Sequence, residues 1–309
     1  NLVGGQDDLL FDGGSFVYNN KYGLIDCLEQ FKSINKIIDI KKLQKIDSII
    51  DLKTIQSPIK ILLNGLILAL RDYLFKNSIK NVFIGLSGGI DSAVVLYIAT
   101  QVCKKENITT IMMPSSFTSK ASLQDAKKLS DNLEISHKVK SIKPLMKSFD
   151  KALSLEFKNH PKNITEENIQ ARIRGVLLMA YANKFNGIVL ATSNKSEVAV
   201  GYSTLYGDMV GGFSILKDVP KTFVYKIAEE INSTNNIIPE RILTRPPSAE
   251  LSENQTDQDT LPDYKVLDAI IDLYIEKNKS IKMIINEGYS AQDVRKVIKL
   301  IHMNEFKRR

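Results

Sequence analysis

Residues 82–92 run Val82-Phe83-Ile84-Gly85-Leu86-Ser87-Gly88-Gly89-Ile90-Asp91-Ser92. A short apolar run without polar alternation marks a strand covered on both faces. The run stops at Ser87-Gly88-Gly89, and the apolar spacing then becomes helical from about Asp91 to Lys105. Glycines let the backbone approach a ligand closely and adopt positive φ, while the unpaired N–H groups and the dipole of a helix start attract an anion. One dipole contributes only about 0.3–2 kcal/mol, so such a loop has to gather several amides and hydroxyls. Gly85, Ser87, Gly88, Gly89 and Ser92 are the candidates to cradle phosphate groups, with Asp91 beginning the helix and able to cap it.

Outward from this point the pattern alternates. Upstream lies a helix from Pro58 to about Lys76. Downstream come strand 110–113, helix 120–132, strand 134–139, a long helix 165–184, strand 188–191 and helices at 193–200 and 220–233. Alternating strands and helices of this length predict an α/β fold, a doubly wound parallel sheet with helices on both faces. Between Asn236 and Pro262 runs a polar stretch with four prolines, longer than a plain connector and predicted to be a mobile functional loop. Helices at about 263–277 and 290–302 close the chain. Residues 1–32 read as a short β hairpin with little core of its own, and 31–56 as a linker. The domains expected are therefore 1–55 and 56–309.

Composition narrows the class. The chain has 309 residues, 43% hydrophobic and 25% charged, with a formal net charge of +7. Its lysines are spread along the chain, so phosphorylated small molecules account for the positive charge as well as nucleic acid would. The most apolar stretch, 59–70, contains Lys60 and Asn64 and falls short of the roughly 20 residues of a membrane span. Cys27 and Cys103 are the only cysteines and lie too far apart in sequence for a CxxC pair, which suits a reducing cytoplasm. His137, His160 and His302 are isolated and show no metal-ligand spacing. The chain opens at Asn1 without an initiator Met or a charged-then-apolar leader, as expected of a piece cut from a longer protein.

The loop is neither a Walker A motif, since GxxxxGK[ST] is absent, nor the GxGxxG dinucleotide fingerprint. Ser-Gly-Gly-Ile-Asp-Ser at 87–92 resembles the pyrophosphate loop of the ATP pyrophosphatases, a family of adenine nucleotide alpha hydrolase-like fold. Its members cleave ATP between the α and β phosphates and activate a substrate as its AMP derivative. Within that family, Asn168-Ile169-Gln170-Ala171-Arg172-Ile173-Arg174, Ala191-Thr192-Ser193-Asn194-Lys195-Ser196-Glu197, Tyr206-Gly207-Asp208, Pro220-Lys221-Thr222 and Pro246-Pro247-Ser248-Ala249-Glu250-Leu251 resemble the NAD synthetases in order and spacing. Near the start, Val3-Gly4-Gly5-Gln6-Asp7-Asp8 through Phe16 resembles the end of the nitrilase-type glutaminase domain of the glutamine-dependent members. The Glu, Lys and Cys of that glutaminase would lie before Asn1, and Cys27 does not replace the nucleophile.

The resemblance implies ATP-dependent amidation of deamido-NAD to NAD through an adenylated intermediate. It implies ATP as co-substrate, with Thr192 and Lys221 joining the loop in binding it. Mg²⁺ would be held by Asp91 and Glu197, in keeping with an ion that takes one or two carboxylates plus phosphate oxygens. Asn168, Arg172, Tyr202 and Asp208 are implied for deamido-NAD, Asp208 also beside the incoming ammonia, and Asp208 and Lys221 are the implied catalytic pair. Small-molecule partners, no nucleic acid, no membrane, a cytoplasmic location and a homo-oligomer built on a two-fold dimer complete the expectation. Nitrogen would come from ammonia, free or derived from glutamine. Two rival readings stay open at this stage: a tRNA-modifying ATP pyrophosphatase, and an inactive nucleotide-binding module.

Overall fold

The computed structural model describes residues 1–6, 9–21, 23–39, 57–253 and 255–308. Most of the expected linker, 40–56, lies outside the described residues. The chain divides into two compact units, Asn1–Ser78 and Ile79–Arg309.

In the first unit, β1 (Val3–Gln6) pairs antiparallel with β2 (Leu9–Asp12), and β3 (Phe16–Asn19) with β4 (Gly23–Cys27). Two hairpins therefore stand where the sequence suggests one. Val3-Gly4-Gly5-Gln6 has no apolar alternation to announce a strand. Helix α1 (Pro58–Lys76) starts where Ser57 accepts a hydrogen bond from the Lys60 amide at 3.2 Å and Pro58 supplies a preset φ. It belongs by packing to this unit: Asp72 accepts from the Gly5 amide at 2.8 Å, and the Lys76 ammonium donates to the Gly5 carbonyl.

The second unit is built on five parallel strands in the order β7-β6-β5-β8-β9. They are β5 (Asn81–Gly85), β6 (Ile108–Met112), β7 (Ser136–Val139), β8 (Gly187–Ala191) and β9 (Phe213–Ser214). Val82, Ile84, Ile108 and Ile111 are fully buried in the central strands, as expected of a parallel sheet covered on both sides. Helices α2 (Ile90–Thr100) and α3 (Lys120–Asn132) lead from β5 through β6 to β7. Then α4 (Lys143–Ala152) and α5 (Ile164–Lys184) carry the chain back past β5 to β8. The strand order thus reverses between β5 and β8, the switch point at which open α/β sheets bind ligands beyond the carboxyl ends of their strands. This is the doubly wound architecture expected.

Helix α4 is an element the sequence reading does not assign. It is short, holds a proline in its first turn and buries no residue fully. Beyond β8 come α6 (Lys195–Val200), α7 (Lys221–Asn232), α8 (Glu240–Thr244), α9 (Tyr264–Ile271), α10 (Ile281–Asn286) and α11 (Ala291–Met303). The predicted loop 236–262 is therefore not structureless: it holds α8 and a 3₁₀ turn at Asp257–Asp259. Helix α9 passes into a π-helical turn at Asp272–Glu276 and packs with α10 and α11 around Leu267, Ile270, Ile284, Val294 and Val297. Among the described residues no helix is long and apolar enough to cross a membrane.

Candidate active site

The carboxyl ends of β5 and β8 open into a cleft lined by the Gly85–Asp91 segment, by Thr192 and Glu197, and by Lys221 and Asp257. Gly88 adopts φ +82°, and a Cβ built on it would stand 2.5 Å from the Ser122 carbonyl oxygen. The backbone there needs glycine for both its dihedral and its space. The Ser92 hydroxyl donates to the Gly89 carbonyl at 2.9 Å, and the Gly89 amide donates to Ser87 Oγ at 3.2 Å, which folds the loop on itself. The cap of α2 is Gly89, not Asp91, and no side chain caps that helix. Asp91, able by sequence to cap the helix, instead lies inside the first turn, its carboxylate engaged by Asn194 and Lys221. The first turn of α2 carries one acidic residue, Asp91.

Asp91 meets residues from far along the chain. Its Oδ1 accepts from Asn194 Nδ2 at 2.8 Å, and its Oδ2 accepts from Lys221 Nζ at 2.6 Å. Asn194 also caps α6, its Oδ1 accepting from the Glu197 amide at 3.1 Å. One side chain thereby ties the helix that carries Glu197 to Asp91. The Glu197 carboxylate closes the cluster, with Oε1 at 3.0 Å from the same Lys221 Nζ. The Lys221 side chain is 3% exposed, Asp91 17% and Glu197 18%. Burial pushes the Glu197 carboxyl up to about 7 against the pull of Lys221, and Asp91 adds to the rise. Burial alone would lower the Lys221 ammonium, but Asp91 and Glu197 together hold it above the ordinary lysine range, so it stays charged. Two carboxylates thus converge on one cation. Among the described residues no group of three or more His, Cys, Asp or Glu side chains could hold a metal ion.

Around this centre the structure sorts the remaining sequence-predicted residues. Thr192 follows β8 directly and lines the cleft, as do Tyr202 and Asp208. Burial, aided by Asp257, raises the Tyr202 phenol. Asp208 Oδ1 accepts from the Thr204 amide at 2.7 Å, closing a turn in which Tyr206 holds φ +62°. Burial raises the Asp208 carboxyl despite that bond, which makes it a better proton acceptor than an exposed aspartate. Asn168 and Arg172 sit on one face of α5 but outside this cleft. Asn168 Oδ1 accepts from the Thr204 hydroxyl at 2.8 Å, and the exposed Arg172 donates to the Leu205 carbonyl at 3.2 Å. Within this chain both hold the turn that presents Asp208.

Several lining residues have no role assigned by the sequence, although Arg174 and 246–251 lie in motifs that carry the resemblance. Arg174, two positions past Arg172, donates to the Met113 carbonyl at 3.0 Å and faces the cleft, its guanidinium pushed down to about 10 by burial while Glu250 and Asp208 pull upward. Asp257 is buried, with Oδ2 accepting from the Tyr264 hydroxyl at 2.8 Å and Oδ1 without a hydrogen-bond partner among the described residues. The segment 245–251 forms another wall. Glu250 Oε1 accepts from Arg245 at 2.7 Å and from the Ser122 hydroxyl at 2.8 Å, and Ser122 is the residue that abuts Gly88. A helical face shared by Asn168 and Arg172 is readable from spacing; nothing local marks Asp257 or Arg245.

The chain is similar over its length to known proteins. The family model described as NAD synthase matches residues 62–309. The glutamine-dependent NAD(+) synthetase of Acinetobacter baylyi is 45% identical over 311 residues, covering 100% of this chain and 58% of that protein. The chain thus spans a little over half the length of the curated relatives it matches. Among solved structures, the glutamine-dependent NAD+ synthetase of Acinetobacter baumannii in complex with ADP has a TM-score of 0.74 at 41% identity, covering 99% of this chain and 56% of that one. NMN synthetase from Francisella tularensis has a TM-score of 0.70 at 28% identity, covering 82% of this chain and 97% of that one.

Proposed function

The chain belongs to the NAD synthase family, and from that premise we propose that it carries the ATP-dependent amidating activity, converting deamido-NAD to NAD with release of AMP and pyrophosphate. The observation that carries the reading is the convergence of Asp91, Glu197 and Lys221 beside the glycine loop. The deamido-NAD carboxylate attacks the α phosphorus of ATP, and pyrophosphate departs toward the amides and hydroxyls of Ser87, Gly88, Gly89 and Ser92. Lys221 neutralises charge developing on the phosphates as the bond breaks. Asp91 and Glu197 offer hard oxygen donors that already share one cation, a donor set that fits Mg²⁺ completed by phosphate oxygens. Bound there, Mg²⁺ supplies charge neutralisation at the phosphates. Asp208, its carboxyl raised by burial, holds ammonium and takes its proton so that neutral ammonia reaches the acyl carbon. The wall 245–251 excludes water from an acyl-adenylate that would otherwise hydrolyse.

We assign 56–309 to the synthetase, supported by the family match to 62–309, and 1–55 to glutaminase-derived sequence and linker, although helix α1 packs with the first compact unit; the working form is a cytoplasmic homo-oligomer built on a two-fold dimer. The spread of lysines and the absence of a thiol pair speak against tRNA modification. The test is NAD formation from deamido-NAD and ATP with ammonium or with glutamine as nitrogen donor, and with nicotinate mononucleotide as a competing acceptor. The expected outcome is NAD from deamido-NAD with ammonium, and loss of pyrophosphate release in both Asp91→Asn and Glu197→Gln. Pyrophosphate release at the wild-type rate in either variant removes the metal assignment, and a preference for nicotinate mononucleotide overturns the substrate.

A further inference from the structure

Helix α7 begins at Lys221, yet the residue before it is Pro220, which has no side chain to cap the exposed amides. The cap comes from a different element. Asp268, on α9, accepts from the Thr222 amide at 2.9 Å through Oδ2 and from the Ser196 hydroxyl through Oδ1. Ser196 Oγ in turn accepts from the Lys221 amide at 2.8 Å. One carboxylate therefore fixes the backbone at Lys221 and Thr222 as well as the side chain of Ser196, the residue immediately before Glu197. All of this is out of water: Ser196 is 0% exposed, Lys221 2% and Asp268 9%. One turn earlier on α9, the Tyr264 ring lies 5.3 Å below Lys221 Nζ, within cation–π range. Tyr264 and Asp268 are four apart and share a helix face, so α9 holds Lys221 at both its backbone and its tip.

We propose that Asp268 is a positioning residue for the amidation reaction, acting through Ser196 and the start of α7 to set Lys221 and Glu197 against each other. The inference rests on the reaction proposed above. An unspecific capping role would lower thermal stability and leave turnover of the folded enzyme unchanged. A positioning role acts on turnover, because a small displacement of a group that meets the transition state has a large effect on rate. In Asp268→Asn the amide nitrogen cannot accept, so either the Ser196 hydroxyl or the Thr222 amide loses its partner.

The experiment measures kcat and KM for NAD formation with ammonium in wild type, Asp268→Asn, Ser196→Ala and the double variant, each checked for folding by thermal melt. Lys221 is footprinted in parallel by acetylation and mass spectrometry, a readout independent of activity. The expected result is a fall in kcat of tenfold or more in each single variant, KM for deamido-NAD within twofold of wild type, and no further loss in the double variant. Acetylation of Lys221 is expected to rise several-fold in both single variants. Should Asp268→Asn fail to fold, Ser196→Ala, which removes one hydroxyl, carries the test by both readouts. A folded variant with kcat within twofold of wild type, or with Lys221 as protected as in wild type, overturns the inference. A wild type that makes no NAD overturns the reaction instead and leaves the footprint to judge the positioning.

Discussion

Replacing Lys221 by Met is expected to lower NAD formation by about a hundredfold to a thousandfold, the range seen when one charge-stabilising donor to a transition state is removed. The same substitution should destabilise the fold by about 3 kcal/mol, because it leaves two partly buried carboxylates without their shared cation. The cause is local: Nζ sits 2.6 Å from Asp91 and 3.0 Å from Glu197, and the other two corners of the cluster repel once it has gone. A divalent cation at that point would replace the lost charge. Millimolar Mg²⁺ should therefore restore the melting temperature of Lys221→Met more than that of wild type, while turnover stays low because no lysine meets the phosphate. Paired melting curves and steady-state rates read both effects. A variant that melts like wild type without Mg²⁺ would show that the carboxylates do not depend on Lys221.

The second large effect is expected at Gly88. Alanine there faces a φ of +82° and a Cβ 2.5 Å from the Ser122 carbonyl oxygen, a backbone atom that cannot swing aside. The dihedral alone costs about 1–2 kcal/mol for an L side chain. Relief of the clash moves the loop away from α3, and with it the amides placed for pyrophosphate. Pyrophosphate release should fall about a hundredfold, the cost of a displacement near 1 Å at reacting groups. Gly89→Ala is the internal control for folding: its nearest added contact is Ser87 Oγ at 3.2 Å and its φ is −93°. Its melting temperature should stay close to wild type while that of Gly88→Ala falls. Equal melting temperatures would contradict the steric account.

The loop, strand β5 and helix α2 are legible in the sequence because their information is contiguous. An apolar run, three glycines and a change of period all lie within a dozen residues. The alternation that follows is enough for the parallel sheet, since a buried strand and an amphipathic helix each carry their own periodicity. The cluster itself is legible only as separate residues. Asp91 meets Asn194 across 103 positions and Lys221 across 130, and no local pattern encodes those meetings. Resemblance supplied Asp91, Glu197 and Lys221 individually; that a single ammonium bridges the two acids is visible only in three dimensions.

Other features were hidden for different reasons. Asp257 lies in a polar stretch where one acid looks like another, and its burial depends on α9 bringing Tyr264 to its Oδ2. Asp268 reads in sequence as the polar face of a helix, yet it caps a neighbour rather than facing solvent. The segment 236–262 misled by its length and prolines. Arg241 and Arg245 anchor it to Asp125 and Ser122, and such pairings between distant side chains leave no trace in composition.

Whether this mouth grips the tail of ATP while AMP passes to a pyridine carboxylate is decided by the identity of the phosphate products. Wild-type protein is incubated with ATP, Mg²⁺, deamido-NAD and ammonium, and the nucleotide and phosphate products are resolved and quantified against NAD. The expected result is AMP and pyrophosphate in equal amounts with NAD, and no pyrophosphate when deamido-NAD is omitted. Formation of ADP and orthophosphate in step with turnover would place the cleavage at the other anhydride and contradict it.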